Sequence, residues 1–202
     1  GCQFALGVQA QNPFAAWGQV HNDALDAAVQ KAYPICGTDE TSDSAQEMAL
    51  DRAAAAVVLS HMGVPAESHD ALLDAYFAFD LNVDSPGERF ALYSFLKLPD
   101  NQIRQLEALF DDKAALEEPA YLQRLEADWK REYALHQQAA LPLACLAVAS
   151  SSADYWGLHA PELLEDVSKD TIWIGDTAMT RRRWIRRDAF GLLKGIAIGA
   201  VV

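Results

Sequence analysis

The chain is short of cysteine, of positive charge and of long apolar runs, and each shortage closes off a class of protein. Cys2, Cys36 and Cys145 are the only cysteines. None forms a CxxC pair, so the thiols supply neither a zinc site nor a dense disulfide framework. Cys36 and Cys145 either lie buried as inert thiols, as free cysteines commonly do, or bridge in an exported protein and leave Cys2 as the odd one. Lys and Arg number 16 against 29 Asp and Glu, a formal net charge of −13. That balance argues against nucleic acid as a partner for the body of the protein, because phosphate backbones need clustered cations. No apolar run reaches the roughly 20 residues that span a bilayer as a helix. HExxH, GxSxG, GxGxxG and GxxxxGK[ST] are also missing. The sequence therefore assigns no catalytic residue, no metal and no cofactor.

What is present is a folded-protein composition: 202 residues, 51% apolar and 22% charged, enough for one domain with a real core. No strand-like alternation lasts before "TIWIG" at 171–175; helical spacing and helix punctuation recur instead. Asn12-Pro13 starts a helix with a cap and a first-turn proline, and Tyr33-Pro34 is expected to end it. Ser44–Glu47 is a capping box closed downstream by Gly63 and Pro65. Ser85-Pro86-Gly87-Glu88 repeats that logic, Pro99 and Pro119 open two more helices, and Pro142 begins an apolar, small-residue helix. A separate short acidic helix is expected after Pro161. The prediction is an all-α, compact bundle of about six to eight helices with proline-punctuated turns. Residues 1–12 form an N-terminal tail and 13–202 a single domain, with 181–202 a basic, glycine-striped last helix.

Charge is unevenly spread. Residues 1–170 hold ten Lys/Arg against 27 Asp/Glu, a net of −17, and residues 171–202 hold six against two, a net of +4. Five arginines surround Trp184 and Ile185, and Gly191, Gly195 and Gly199 then form a GxxxGxxxG stripe that permits close helix approach. Three readings compete for this tail: packing against its own acidic body, lying on a membrane surface, or self-association and capture of a protein partner.

The stretch "WGQVHNDALDAA", residues 17–28, places a histidine beside an asparagine. On a helix His21 shares a face with Trp17, Ala24, Leu25 and Ala28, while Asn22 and Asp26 stack four apart on an adjacent, more polar strip. One reading makes His21, Asn22 and Asp26 a polar clasp that fixes this helix to its neighbours. The other makes them part of a metal-binding or hydrolytic site with His61, His69 and Asp70, the last four residues before Asp74.

The residues Asn12-Pro13-Phe14, Gly18, His21-Asn22 and Leu25-Asp26, then Ser151-Ser152-Ala153-Asp154-Tyr155-Trp156, then Asp188 with Gly191 and Gly195, resemble a loose group of uncharacterised bacterial exported proteins, best represented in Bacteroidota. The matches cover about a fifth of the chain at three separated places. The resemblance implies export, transfers no activity, and implies that the first helix, the "SSADYW" helix and the tail form one structural unit. Gly1-Cys2 also looks like the end of a lipoprotein signal, with Cys2 as the lipid attachment point. The sequence thus favours a non-enzymatic, extracytoplasmic helical binding or interaction protein. The enzyme reading and a membrane-active, self-associating tail stand as alternatives.

Overall fold

A computed structural model describes residues 12–36, 52, 55–60, 62–79, 81–111, 113–167 and 177–199; for 27–36, 160–167, 177–180 and 199 it describes the backbone alone. Among the described residues every regular element is helical. The helices are α1 (Ala15–Cys36), α2 (His69–Ala78) after a 3-10 turn at Ala66–Ser68, α3 (Pro86–Phe95), α4 (Asp100–Phe110), α5 (Pro119–His136), α6 (Ala140–Val167) and α7 (Thr177–Gly199). Residues 55–60 are also helical.

The punctuation works locally as capping chemistry requires. Ser85 Oγ accepts the Glu88 backbone N–H at 3.4 Å, and Pro86 fills the first turn of α3. The reciprocal bond of a capping box reaches three residues further back than Ser85, because Glu88 Oε2 accepts the N–H of Asn82 at 2.6 Å. After residues 55–60, Val64 N–H bonds to Leu59 O and Gly63 N–H to Ser60 O, with Gly63 at φ +77°. This is the paired 6→1 and 5→2 closure of a Schellman motif. The same pair closes α3, from Leu98 to Tyr93 and from Lys97 to Ser94, with a lysine in the left-handed position at φ 53°.

Two expected boundaries move. Helix α1 continues past Pro34 to Cys36, and α6 runs unbroken through Pro161 to Val167, so no separate acidic helix begins there. A proline deletes one backbone bond and bends a helix, but does not end one that its neighbours hold. Pro142 is likewise in the first turn of α6, whose start is Ala140, where a missing N–H costs little.

Helix α6 is the hub, packing against α7, α1, α5 and α4, and α7 also meets α2, α3 and α4. Residues 142–149 of α6 are all buried, which explains their small, apolar character. The core joins Leu143 and Leu146 of α6 to Ile185, Phe190 and Leu193 of α7 and to Leu106 and Phe110 of α4. Phe110 and Phe190 meet edge to face at 5.5 Å, the geometry aromatic quadrupoles prefer. Phe14 packs on the margin of that core.

The tail belongs to this domain. Ile185, Ala189, Phe190, Leu193, Ala197 and Ile198 are buried. Its arginines meet the acidic body: Arg186 Nη2 donates to Asp84 Oδ1 at 2.7 Å, Arg183 Nε to Asp84 Oδ2 at 3.0 Å, and Arg182 pairs with Glu117. Of the glycine stripe, Gly191 lies beneath the Tyr76 hydroxyl, whereas Gly195 is exposed with open space where a Cβ would stand. The side chain position of Gly199 lies outside the described residues. No helix among the described residues is long and apolar enough to cross a membrane.

Candidate functional site

The motif residues of α1, α6 and α7 converge at one junction. Gly18 makes the approach possible: a Cβ there would stand 2.2 Å from Ser151 Oγ and 2.5 Å from the Ala147 carbonyl oxygen. Only a residue without a side chain lets α1 lie this close to α6. Asn12 caps α1 and reaches across, its Nδ2 donating to the Leu143 carbonyl at 3.0 Å and its Oδ1 accepting the Phe14 N–H at 2.9 Å.

One turn beyond Gly18, Asn22 Nδ2 donates to the Ser151 carbonyl at 2.7 Å, and Asn22 Oδ1 faces His21 Nδ1 at 3.1 Å. The other imidazole nitrogen, Nε2, faces Asp188 Oδ2 of α7 at 3.7 Å, with both side chains about one-fifth exposed. Asp188 Oδ2 also accepts Ser152 Oγ–H at 2.6 Å and Trp156 Nε1–H at 3.0 Å, both from α6. The Trp156 ring meets Trp184 of α7 at 4.4 Å with the ring planes tilted by 44°, and Arg181 Nη2 donates to the Ala153 carbonyl. Asp188 is the single carboxylate of α7, and it anchors the junction.

The proton count follows from this network. Because Asn22 gives its amide hydrogens to Ser151, its oxygen is the atom presented to His21. His21 therefore meets an acceptor at each ring nitrogen, Asn22 Oδ1 on one side and Asp188 Oδ2 on the other. A neutral imidazole has one N–H and leaves one of these contacts as lone pair against lone pair; the imidazolium satisfies both. Burial opposes the charge, but the negative charge of Asp188 at 3.7 Å, with the Asn22 contact, outweighs it and holds the pKa of His21 above its usual value. Close by, burial and the Asp26 carboxylate beside it push the Tyr155 phenol well above its ordinary range, so Tyr155 stays neutral.

His21, Asn22 and Asp26 thus meet at one junction, but not as two strips of α1. His21 and Asn22 both turn to α6 and α7, Asp26 is exposed and holds Tyr155, and Trp17 is 42% exposed. The inward residues are Gly18 and Ala24, buried, with His21, Asn22 and Leu25 half-buried, because closeness to α6 is set by the residue that lacks a side chain. The other residues of the metal or hydrolytic reading are elsewhere. His69 Nε2 lies 2.9 Å from the Val64 carbonyl, Asp70 is exposed, and Asp74 pairs with Arg52 at 2.8 Å. His61 and Cys2 lie outside the described residues, as does the side chain of Cys36. Among the described residues no three His, Cys, Asp or Glu side chains are placed to hold a metal ion. Cys145 is a free thiol in the core, and burial pushes its pKa up to about 12, too high for a nucleophile.

Ser152, Trp156 and Asp188 are the functional residues that spacing alone did not single out. Besides the sequence resemblance that includes it, the signal for Asp188 is its isolation, a lone acid among five arginines at the head of an apolar run.

The class defined by this fold and site is an all-α domain in which α1 and α7 are tied across α6 by a partly buried polar network. No family model, no curated protein and no solved structure matches this chain.

Proposed function

We propose that the protein is a non-enzymatic helical binding or interaction protein, exported to an extracytoplasmic compartment, in which His21, Asn22 and Asp188 are a structural clasp. The observation that carries this reading is the saturation of the site by itself. Ser152 gives its hydrogen bond to Asp188 and not to His21, so the imidazole does not stand behind the hydroxyl as a base. Both nitrogens of His21 face acceptors of the protein, which leaves neither turned to a substrate. The burial of the apolar face of α7 supports a tail that serves the fold. Export belongs to the same reading and rests on the sequence resemblance.

A double-mutant cycle with His21→Ala and Asp188→Asn tests the clasp by chemical denaturation at about pH 6, where the imidazole carries its proton. Coupling of about 1 kcal/mol or more between the two sites is expected for a partly buried charged contact. A fluorophosphonate probe, which labels activated serines, is expected to leave Ser152 unmodified. Additive mutations, or labelling at Ser152, would overturn the reading.

A further inference from the structure

We propose that α1 is a pH-gated arm, latched onto α6 and α7 by protonated His21 and released on deprotonation while the core around α6 and α7 stays folded. The inference rests on the clasp reading and goes beyond it, because a clasp need not open.

Two features of the junction make opening local. Helix α1 packs against α6, and its buried Ala24 lies outside the central core cluster; among the described side chains only Phe14, just before the helix, packs on the margin of that cluster. Where Gly18 and Asn22 meet α6 the contacts are with small and polar groups, the Ala147 carbonyl and Ser151 against Gly18, and the Ser151 carbonyl against Asn22. The core cluster of α3 to α7 is therefore untouched by undocking.

The second requirement is a group whose charge decides the docking energy. His21 faces two acceptors, and the tie to α7 is complete only when both ring nitrogens carry hydrogen. The groups around it leave this role to the imidazole. From α7 comes Asp188; from α6 come Ser152 and Trp156, which donate to that carboxylate, and Tyr155, neutral and held by Asp26; from α1 comes Asn22. Arg181 of α7 is turned to the Ala153 carbonyl. Since docking raises the pKa of His21, its contribution is complete below the free-histidine value and is lost as pH rises through the raised one. Each unit of that rise changes the opening constant of α1 about tenfold.

Hydrogen–deuterium exchange on the full chain at about pH 5 and about pH 9, corrected for intrinsic exchange rates, reads the arm directly. The expected result is a loss of protection of tenfold or more over residues 16–26 at the higher pH, with residues 143–149 and 190–198 unchanged. Asp188→Asn and His21→Gln should each abolish the pH step, and the wild-type comparison stands if either variant fails to fold. Equal protection of α1 at both pH values, simultaneous loss in α1 and the core, or a step that survives in a folded variant would overturn the latch. Coupling between His21 and Asp188 without a pH step in α1 would overturn the latch and leave the clasp standing.

Discussion

Gly18 shows how a single residue sets an interhelical distance. With a methyl group 2.2 Å from Ser151 Oγ and 2.5 Å from a backbone oxygen of α6, Gly18→Ala forces the two helices apart. Overpacking of this kind is expected to cost about 1–3 kcal/mol by urea denaturation, despite the better helix propensity of alanine. Lys97 is the converse case. It occupies the left-handed position of a Schellman motif at φ 53°, where a Cβ is strained, so Lys97→Gly is expected to raise stability by about 1 kcal/mol. The sequence marked His21, Asn22 and Asp26 because polar groups amid apolar ones demand partners. It could not mark Ser152 or Trp156 in the same way, since a serine among alanines and a tryptophan on an apolar helix need no special explanation.

At the scale of elements, α3 is fastened to α4 by one buried charged group. Arg89, buried on α3, forks onto both oxygens of Glu107 at 2.8 Å, gives a third bond to the Val83 carbonyl, and shares Glu107 Oε1 with the buried Tyr93 hydroxyl. Burial pulls the Glu107 pKa up, but the bonds from Arg89 and Tyr93 win and hold it below the usual glutamate value. A depressed carboxylate stabilises the fold above its unfolded pKa, and that stabilisation is lost as pH falls through the folded one. The melting temperature of the wild type is therefore expected to fall below about pH 4.5 more steeply than that of Glu107→Gln. Glu107→Ala, which strands Arg89 in the interior, is expected to cost about 3 kcal/mol at pH 7. Helix starts were legible at this scale, because Asn12, Ser85, Pro86 and Pro119 act within one turn of themselves. Helix ends at Pro34 and Pro161 were not, because whether a helix survives a proline depends on neighbours far away in sequence.

Across the whole molecule, the charge asymmetry becomes an internal fit: the positive last helix lies against the acidic body through Asp84 and Glu117. Removing residues 189–202 deletes Phe190 and Leu193 from the core, so the truncated chain is expected to lose its cooperative thermal transition by circular dichroism. A folded, monomeric truncation product would instead mean that the tail serves a membrane or a partner. The all-α class, the helix starts at Asn12, Ser85, Pro99 and Pro119 and the opposite charges of body and tail were determined by the sequence alone, because periodicity, capping and composition are local or additive quantities. Which helix became the hub, which acid would receive His21, and which glycine would be a contact were decided only by the tertiary structure. Gly18 proved to be the close contact while Gly195 of the regular stripe faces open space, since helix faces acquire their meaning from what packs against them, and a spacing pattern names no partner.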